Sequence, residues 1–230
     1  MKKQMRRFKI ISFDLDGTLV DKRFDDEMWF KEVPKLYAAK HGVSFKQAYR
    51  ECRAAYDAVG NYRLNWYRIC YWLNRFGIRR SRKLIMRDLR RFAKPYSDAA
   101  PVLRSLKRKG FRLVVVSNAA PCFLEFKLDA AGLSRYVSER FSVSGRFGTV
   151  RKSKRVYARL CRVLRAKPRE IVHVGDFRDF DFDQPRAAGI TAFLLNRGRK
   201  HKPRSAAEKF FFVRNLNEFE KKILELKKID

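Results

Sequence analysis

The stretch Ile10-Ile11-Ser12-Phe13-Asp14-Leu15-Asp16-Gly17-Thr18 decides how the rest of the chain is read. An apolar run of strand composition ends on two carboxylates spaced i, i+2, and a glycine follows at once. In an extended segment i and i+2 share a face, so Asp14 and Asp16 can converge on one reacting atom. One can attack that atom while the other moves a proton, the division of labour that phosphoryl transfer uses. A plain strand exit through an Asp-Gly turn has the same local appearance, so the reading depends on what lies beyond it.

Working outward, apolar runs bounded by turns recur as strand, long helical stretch, strand, helix, strand, helix, strand. That order is expected of a doubly wound parallel sheet. Strands are predicted at 8–13, 111–117, around 141–143, at 171–175, and near 192–195 and 210–213. Arg112-Leu113-Val114-Val115-Val116 is continuous rather than alternating, as suits a strand covered on both faces. Ahead of it the spacing predicts an amphipathic helix over 100–109, closed by Gly110.

Between the first two strands, roughly 21–95 holds no convincing strand and reads as a helical insertion. Gly42, Gly60 and Gly77 make natural helix ends, which predicts four helices. Trp66, Ile69, Cys70 and Leu73 fall at helical spacing, as do Tyr49, Cys52, Arg53 and Tyr56. The aromatic wealth of this stretch is therefore expected to pack a small helical core rather than to stack on bases. The fold class expected is α/β: a Rossmann-like, doubly wound parallel core from 1–20 and 96–230, carrying an inserted α-helical cap over 21–95.

Further chemistry sits at the ends of the later strands. Ser117-Asn118 offers a hydroxyl and backbone N–H groups to a phosphate oxygen, although Ser-Asn is also an ordinary strand exit. Val174-Gly175-Asp176 ends another strand, with Asp179, Asp181 and Asp183 close behind. Clustered acids in a chain so short of acid need an explanation. Hard oxygen donors at a strand terminus suit Mg2+, which takes one or two carboxylates and substrate phosphate oxygens. A solvated acidic loop is the alternative.

Composition sets the outer bounds. The chain has 230 residues, 46% hydrophobic and 14% aromatic, enough for one sizeable core or for a core with an inserted subdomain. No run of about 18 apolar residues occurs, and the basic start Met1-Lys2-Lys3-Gln4-Met5-Arg6-Arg7 leads into a short strand rather than a signal segment. No membrane partner is expected, and a cytoplasmic enzyme is. Cys52, Cys70, Cys122 and Cys161 lack C-x-x-C pairing and are expected to be small buried hydrophobes. The charge is extreme: 55 Lys+Arg against 24 Asp+Glu gives +31. From Arg140 to Arg169 there are eleven basic residues and no acid, and Arg79 to Lys94 carries eight against Asp88. Such a field fits a nucleic-acid partner or a generally basic surface, and no recognition motif accompanies it.

Together these pieces resemble the haloacid dehalogenase-like (HAD) hydrolase superfamily, in its phosphatase branch with a helical cap between the first and second motifs, as in phosphoglycolate phosphatases. Asp14-Leu15-Asp16-Gly17-Thr18 matches the first motif, Val115-Val116-Ser117-Asn118 the second, and Gly175-Asp176 with Asp181 the fourth, down to Ala187-Ala188-Gly189. Pro95-Tyr96 through Gly110 resembles the family's return from cap to core. The third motif departs. Relatives show a lysine followed by proline ahead of a helix, whereas this chain reads Gly148-Thr149-Val150-Arg151-Lys152-Ser153-Lys154. Counting back without gaps gives Arg151; a one-residue shift gives Lys152, the expected residue.

The resemblance implies a Mg2+-dependent phosphatase that hydrolyses small phosphate monoesters through an aspartyl-phosphate. Asp14 would be the nucleophile and Asp16 the acid and base. Mg2+ would be held by Asp14, the Asp16 carbonyl, Asp176 and Asp181. Ser117, Asn118 and Lys152, with Arg151 as second candidate, would carry the phosphoryl charge, and Thr18 would buttress the loop. An acid at Asp16 argues against carbon–halogen substrates, which have no leaving alkoxide to protonate. Phosphoglycolate, sugar phosphates and nucleotides form the default substrate class. A sugar phosphomutase, a phosphatase of nucleic-acid termini and a nucleic-acid-binding protein on the same fold stay open.

Overall fold

A computed structural model describes residues 8–198 and 201–226. The basic start Met1–Arg7 lies outside the described residues. Six strands form one parallel sheet: β1 (Ile10–Phe13), β2 (Arg112–Ser117), β3 (Glu139–Ser142), β4 (Ile171–Gly175), β5 (Thr191–Leu195) and β6 (Phe212–Val213), in the order β3-β2-β1-β4-β5-β6. The chain builds from β1 out to β3 and then returns to the other side of β1 as β4. Phe13 is therefore in register with Val115 on one side and Val174 on the other. The reversal opens a crevice at the carboxyl ends of these three strands, where open α/β sheets bind ligands.

The continuous apolar strands are covered on both faces, as their composition predicts. Val114 and Val116 of β2 pack with Tyr157 and Leu160 of the helix Lys154–Leu164. Leu113 and Val115 point the other way, against Leu103 and Leu106 of the helix Ala99–Arg108 and toward Phe219 of the helix Leu216–Leu226. Two expected strands differ at their ends. The run around 141–143 stops at Ser142, because the Ser142 hydroxyl accepts from the Gly145 N–H at 3.1 Å and starts the helical turn Val143–Arg146. Phe210 and Phe211 follow the short helix Ala206–Lys209, and the Lys222 ammonium donates to the carbonyls of Phe210 and Phe212. Only Phe212–Val213 pairs as strand.

The stretch between β1 and β2 is helical throughout its regular elements. Arg23–Glu27 runs through a wide π turn, Met28–Glu32, into Val33–His41, followed by Phe45–Val59, Ile69–Arg75 and Arg82–Asp88. Gly42 closes one helix in the left-handed conformation (φ 67°), and the Ser44 hydroxyl caps the next by accepting from the Gln47 N–H at 3.2 Å. Tyr56, Trp72 and Phe76 bury against one another, as the helical spacing predicts. Phe24 and Trp29 meet Phe123 of the helix Pro121–Ala130 edge to face, so insertion and sheet share one continuous apolar core. Cys52 and Cys161 are buried as expected, but Cys70 is exposed and Cys122 half-buried, because helical spacing did not reveal which turns lack a neighbour. Among the described residues no helix is long and apolar enough to cross a membrane.

Where the insertion leaves and rejoins the sheet, its two ends lie side by side. The Tyr96 N–H donates to the Leu19 carbonyl and the Asp21 N–H to that of Lys94, both at 3.0 Å. Asp98 then ties three segments together. It takes both Arg197 amino groups at 2.9 and 2.8 Å and caps the C-terminal helix by accepting from the Leu216 N–H at 2.8 Å. Arg197 also donates to the Thr18 carbonyl at 3.0 Å and lies 3.9 Å over the Tyr96 ring. Asp98→Ala would strand a guanidinium and a buried N–H together. Urea unfolding should show a loss of about 3 kcal/mol, the scale of breaking a buried ion pair, while Asp98→Asn keeps part of the stability by retaining the amide-capping oxygen.

Candidate active site

Asp14 follows the last residue of β1, and its N–H still donates to the Val174 carbonyl of β4 at 2.9 Å, so the ladder carries the first carboxylate to the mouth of the crevice. The chain then turns through Gly17, whose φ of 83° disfavours any side chain, and a Cβ there would lie 2.3 Å from the Asp176 carboxylate. Gly175 permits a second close approach: a Cβ on it would lie 2.4 Å from the Asp181 carboxyl carbon. Asp181 belongs to a π turn, Arg178–Asp183, that curls back over β4, and one of its oxygens accepts from the Phe177 N–H at 3.1 Å. The sequence therefore uses glycine where two carboxylates must pack against backbone.

Oxygens of Asp14, Asp176 and Asp181 come within 4.8 Å of one another. Lys152, from the loop before the helix Lys154–Leu164, reaches into this cluster and is only 2% exposed. Its ammonium donates to Asp14 Oδ1 at 2.5 Å and to Asp181 Oδ1 at 2.7 Å. Arg151, the second candidate for phosphate contact, turns outward instead. Its guanidinium lies 3.7 Å from Asp179 and 5.7 Å from the Tyr62 ring centre, at the rim. Adjacent residues in an extended loop point to opposite sides, so only one of the two can enter.

The remaining expected residues gather at the same place. The Ser117 hydroxyl at the end of β2 accepts from the Ala119 N–H at 3.0 Å, and Asn118 Nδ2 donates to the Val150 carbonyl at 2.8 Å, joining the second strand end to the loop that carries Lys152. The Thr18 hydroxyl donates to Asp14 Oδ2 at 3.3 Å. The Asp16 carboxylate stands outside the Asp14, Asp176 and Asp181 group and pairs elsewhere. It accepts from Lys127 at 2.7 Å, and Lys127 also donates to both oxygens of Asp25 at 2.7 Å.

Several of these partners escaped the sequence reading. Lys127 and Asp25 lie on the helices Pro121–Ala130 and Arg23–Glu27, and Lys22 donates to Asp176 at 2.8 Å. His173, inside β4, joins Asp181 Oδ1 at 3.2 Å, the Ser12 hydroxyl at 2.9 Å and the Tyr157 hydroxyl at 3.1 Å. Spacing did signal one of them: Asp25 and Asp26 are paired acids on the first helix turn after the motif. The lysines carried no signal in a chain with so many.

The cavity around these groups holds about 400 Å3 and is lined by five carboxylates (Asp14, Asp16, Asp25, Asp176, Asp181) and three ammonium groups (Lys22, Lys127, Lys152). Two negative charges are left over. Burial pushes Asp14 up to about 8; Lys152 opposes this and the charges of Asp181, Asp176 and Asp16 reinforce it. Burial likewise raises Asp25 to about 6 against the pull of Lys127, and raises Asp176 against that of Lys22. Asp181 runs the other way: burial is outweighed by Lys152 and His173, which hold it well below the usual carboxylate range. Burial lowers His173 against the opposing hydrogen bond and charge of Asp181. A divalent cation among Asp14, Asp176 and Asp181 would neutralise the excess, and an all-oxygen donor set is the chemistry that Mg2+ takes.

The chain is similar to known proteins over most of its length. Residues 8–189 match the model of the haloacid dehalogenase-like hydrolase family. The chain is 29% identical over 173 residues to the GMP/IMP nucleotidase YrfG of Escherichia coli (strain K12), covering 72% of this chain and 73% of that protein. It is 26% identical over 201 residues to the glyceraldehyde 3-phosphate phosphatase of Methanopyrus kandleri, covering 83% and 85%. A HAD phosphatase from Thermococcus onnurineus has the same fold, with a TM-score of 0.78 at 20% identity over 93% of this chain and 97% of that one. By its motifs, its sheet order and the family match, the chain belongs to the haloacid dehalogenase-like hydrolases.

Proposed function

We propose that this hydrolase is a Mg2+-dependent phosphatase that cleaves small phosphate monoesters through an aspartyl-phosphate on Asp14. The observation that carries the reading is the approach of Asp14, Asp176 and Asp181 to within 4.8 Å beside the buried Lys152. The relatives named as a nucleotidase and a sugar-phosphate phosphatase support small phosphorylated metabolites as the substrate class. Asp14, Asp176, Asp181 and the Asp16 carbonyl would hold Mg2+, whose chemistry when bound is to draw charge from the phosphoryl oxygens.

The chain's own groups do the rest. Asp14 attacks phosphorus in line, forming the aspartyl-phosphate as the leaving oxygen departs. Lys152, with the Ser117 hydroxyl and the N–H groups after it, takes up charge on the transferred group. Asp16 delivers a proton to the leaving oxygen and afterwards takes one from the water that hydrolyses the acyl phosphate. Lys127, shared between Asp16 and Asp25, fixes where that carboxyl points. Thr18 supports the loop from behind Asp14.

Phosphate release from p-nitrophenyl phosphate should require Mg2+, stop with EDTA, and be absent in Asp14→Asn, a nearly isosteric change. Release that persists in that variant would remove Asp14 as nucleophile. Asp16→Asn separates the two steps. p-Nitrophenolate leaves without needing a proton, so rapid mixing should give one burst of p-nitrophenolate followed by a stalled phosphoprotein, recoverable by acid quench and mass spectrometry. For the third motif, Lys152→Ala should lower kcat by on the order of 100-fold or more and Arg151→Ala by less than about threefold, because only Lys152 touches Asp14.

A further inference from the structure

Above the charged floor the cavity is walled by rings: Trp29, Trp66 and Tyr67 from the insertion, and Phe123, Phe177 and Phe180 from the sheet side. They are not equally committed to packing. Trp29 and Phe123 are buried in the shared core, whereas Phe177 is 53% exposed and Trp66 and Tyr67 half-buried. Phe177 and Phe180 lie 4.8 Å apart and tilted by 34°, and Trp66 stands 6.5 Å from Trp29 at 36°. Tyr62, 67% exposed, completes the rim from the insertion. Rings left partly exposed on the insertion side and on the sheet side of one cavity offer faces to a flat apolar group.

The charges of the wall disfavour an anionic leaving group. Among the described residues lining the cavity, every cation is a lysine already ion-paired: Lys22 to Asp176, Lys127 to Asp16 and Asp25, Lys152 to Asp14 and Asp181. No arginine lines it, and Arg151 at the rim is paired with Asp179. A carboxylate or second phosphate on the leaving group would meet no free positive partner and would face Asp16 and Asp25. A neutral aromatic group would instead bury against the rings. The volume, about 400 Å3, lies within the range of small-molecule sites.

We infer that the leaving group is a nucleoside, so that the substrate is a nucleoside monophosphate whose base lies between Trp66 with Tyr62 and Phe177 with Phe180. This rests on the phosphatase reading above and narrows it. Stacking tolerates any base, since each has a π face, and truncating a stacked ring costs about tenfold or more in binding.

The test measures kcat/KM with Mg2+ for GMP, AMP and UMP, for phosphoglycolate and glyceraldehyde 3-phosphate, and for acetyl phosphate, whose leaving group has no ring. The nucleotides should exceed phosphoglycolate and glyceraldehyde 3-phosphate by at least tenfold. In Trp66→Ala the ratio of GMP to acetyl phosphate should fall about tenfold, chiefly through KM, and Trp66→Phe should restore most of it. Tyr62→Ala, a change at an exposed ring that leaves the core alone, should lower the same ratio about threefold. Phosphoglycolate turned over as well as GMP, or a ratio unmoved in both alanine variants, would overturn the nucleoside assignment while leaving the phosphatase intact. No phosphate release from any of the esters or from the anhydride acetyl phosphate would overturn the phosphatase reading and this inference with it.

Discussion

Two buried lysines, Lys152 and Lys127, placed among five carboxylates set the terms for everything else at the crevice. Lys152 and Lys127 are 2% and 1% exposed, and an ammonium so far from water is tolerated only with carboxylates in direct contact. Each is shared by two acids, so the lysines organise pairs: Lys152 holds Asp14 to Asp181, and Lys127 holds Asp16 to Asp25. The parallel sheet makes these pairings possible by ending β1 and β4 at the same level, with β2 beside them. With all five carboxylates ionised the lysines, Lys22 included, fall two charges short, an excess that a divalent cation would balance. Asp14 is pushed up to about 8, first by burial and then by the charges of Asp181, Asp176 and Asp16, against the pull of Lys152.

How much of this could be read from the residues follows from contrast. Acids are scarce in this chain, so Asp14, Asp16, Asp176 and Asp181 stood out, and the glycines beside them marked tight approach. Lysine is abundant, so nothing distinguished Lys127 or Lys22 from solvated neighbours. Lys152 and Arg151 differ by one position in a loop without periodicity, and only the direction of the backbone decides which faces inward. The insertion shows the same limit. Helical spacing identified Tyr56 as core, but it also set Trp66 on one helical face with Ile69, Cys70 and Leu73, whereas Trp66 sits in a short 3-10 segment ahead of that helix and Tyr62 in a turn, where spacing carries no information about what a ring will face. The two strand ends that moved, at Ser142 and Phe212, were decided by side-chain bonds from Ser142 and Lys222 to backbone, which no apolar pattern encodes.

The net charge of +31 and the negative cavity are compatible once their places are separated. On the helix Lys154–Leu164 the apolar face, with Val156, Leu160 and Cys161, covers the sheet, while Arg155, Arg159 and Arg162 project outward. The eleven basic residues between Arg140 and Arg169 are thus mostly a surface, with Lys152 as the member turned inward. A field of that sign raises the local concentration of any anion, but it is screened beyond about 8 Å at physiological ionic strength. It can bring phosphorylated molecules to the crevice without choosing among them. Choice has to come from the wall, which is uncharged apart from its paired groups.

The wall and the reacting groups are mechanically joined. The insertion meets the sheet through the paired backbone at Leu19–Tyr96 and Asp21–Lys94, immediately after the loop that holds Asp14 and Asp16. Arg197 braces that junction by binding Asp98, the Thr18 carbonyl and the Tyr96 ring at once. Farther out, Asp25 of the insertion touches the reacting groups only through Lys127. Any displacement of the insertion from the sheet must therefore part Asp25 from Lys127 and leave that ammonium to Asp16 alone. Tyr62, Trp66 and Tyr67, which line the entrance from the insertion, ride on the same segment as Asp25. In the arrangement seen, those rings wall the cavity while Asp16 is held by a lysine shared with Asp25.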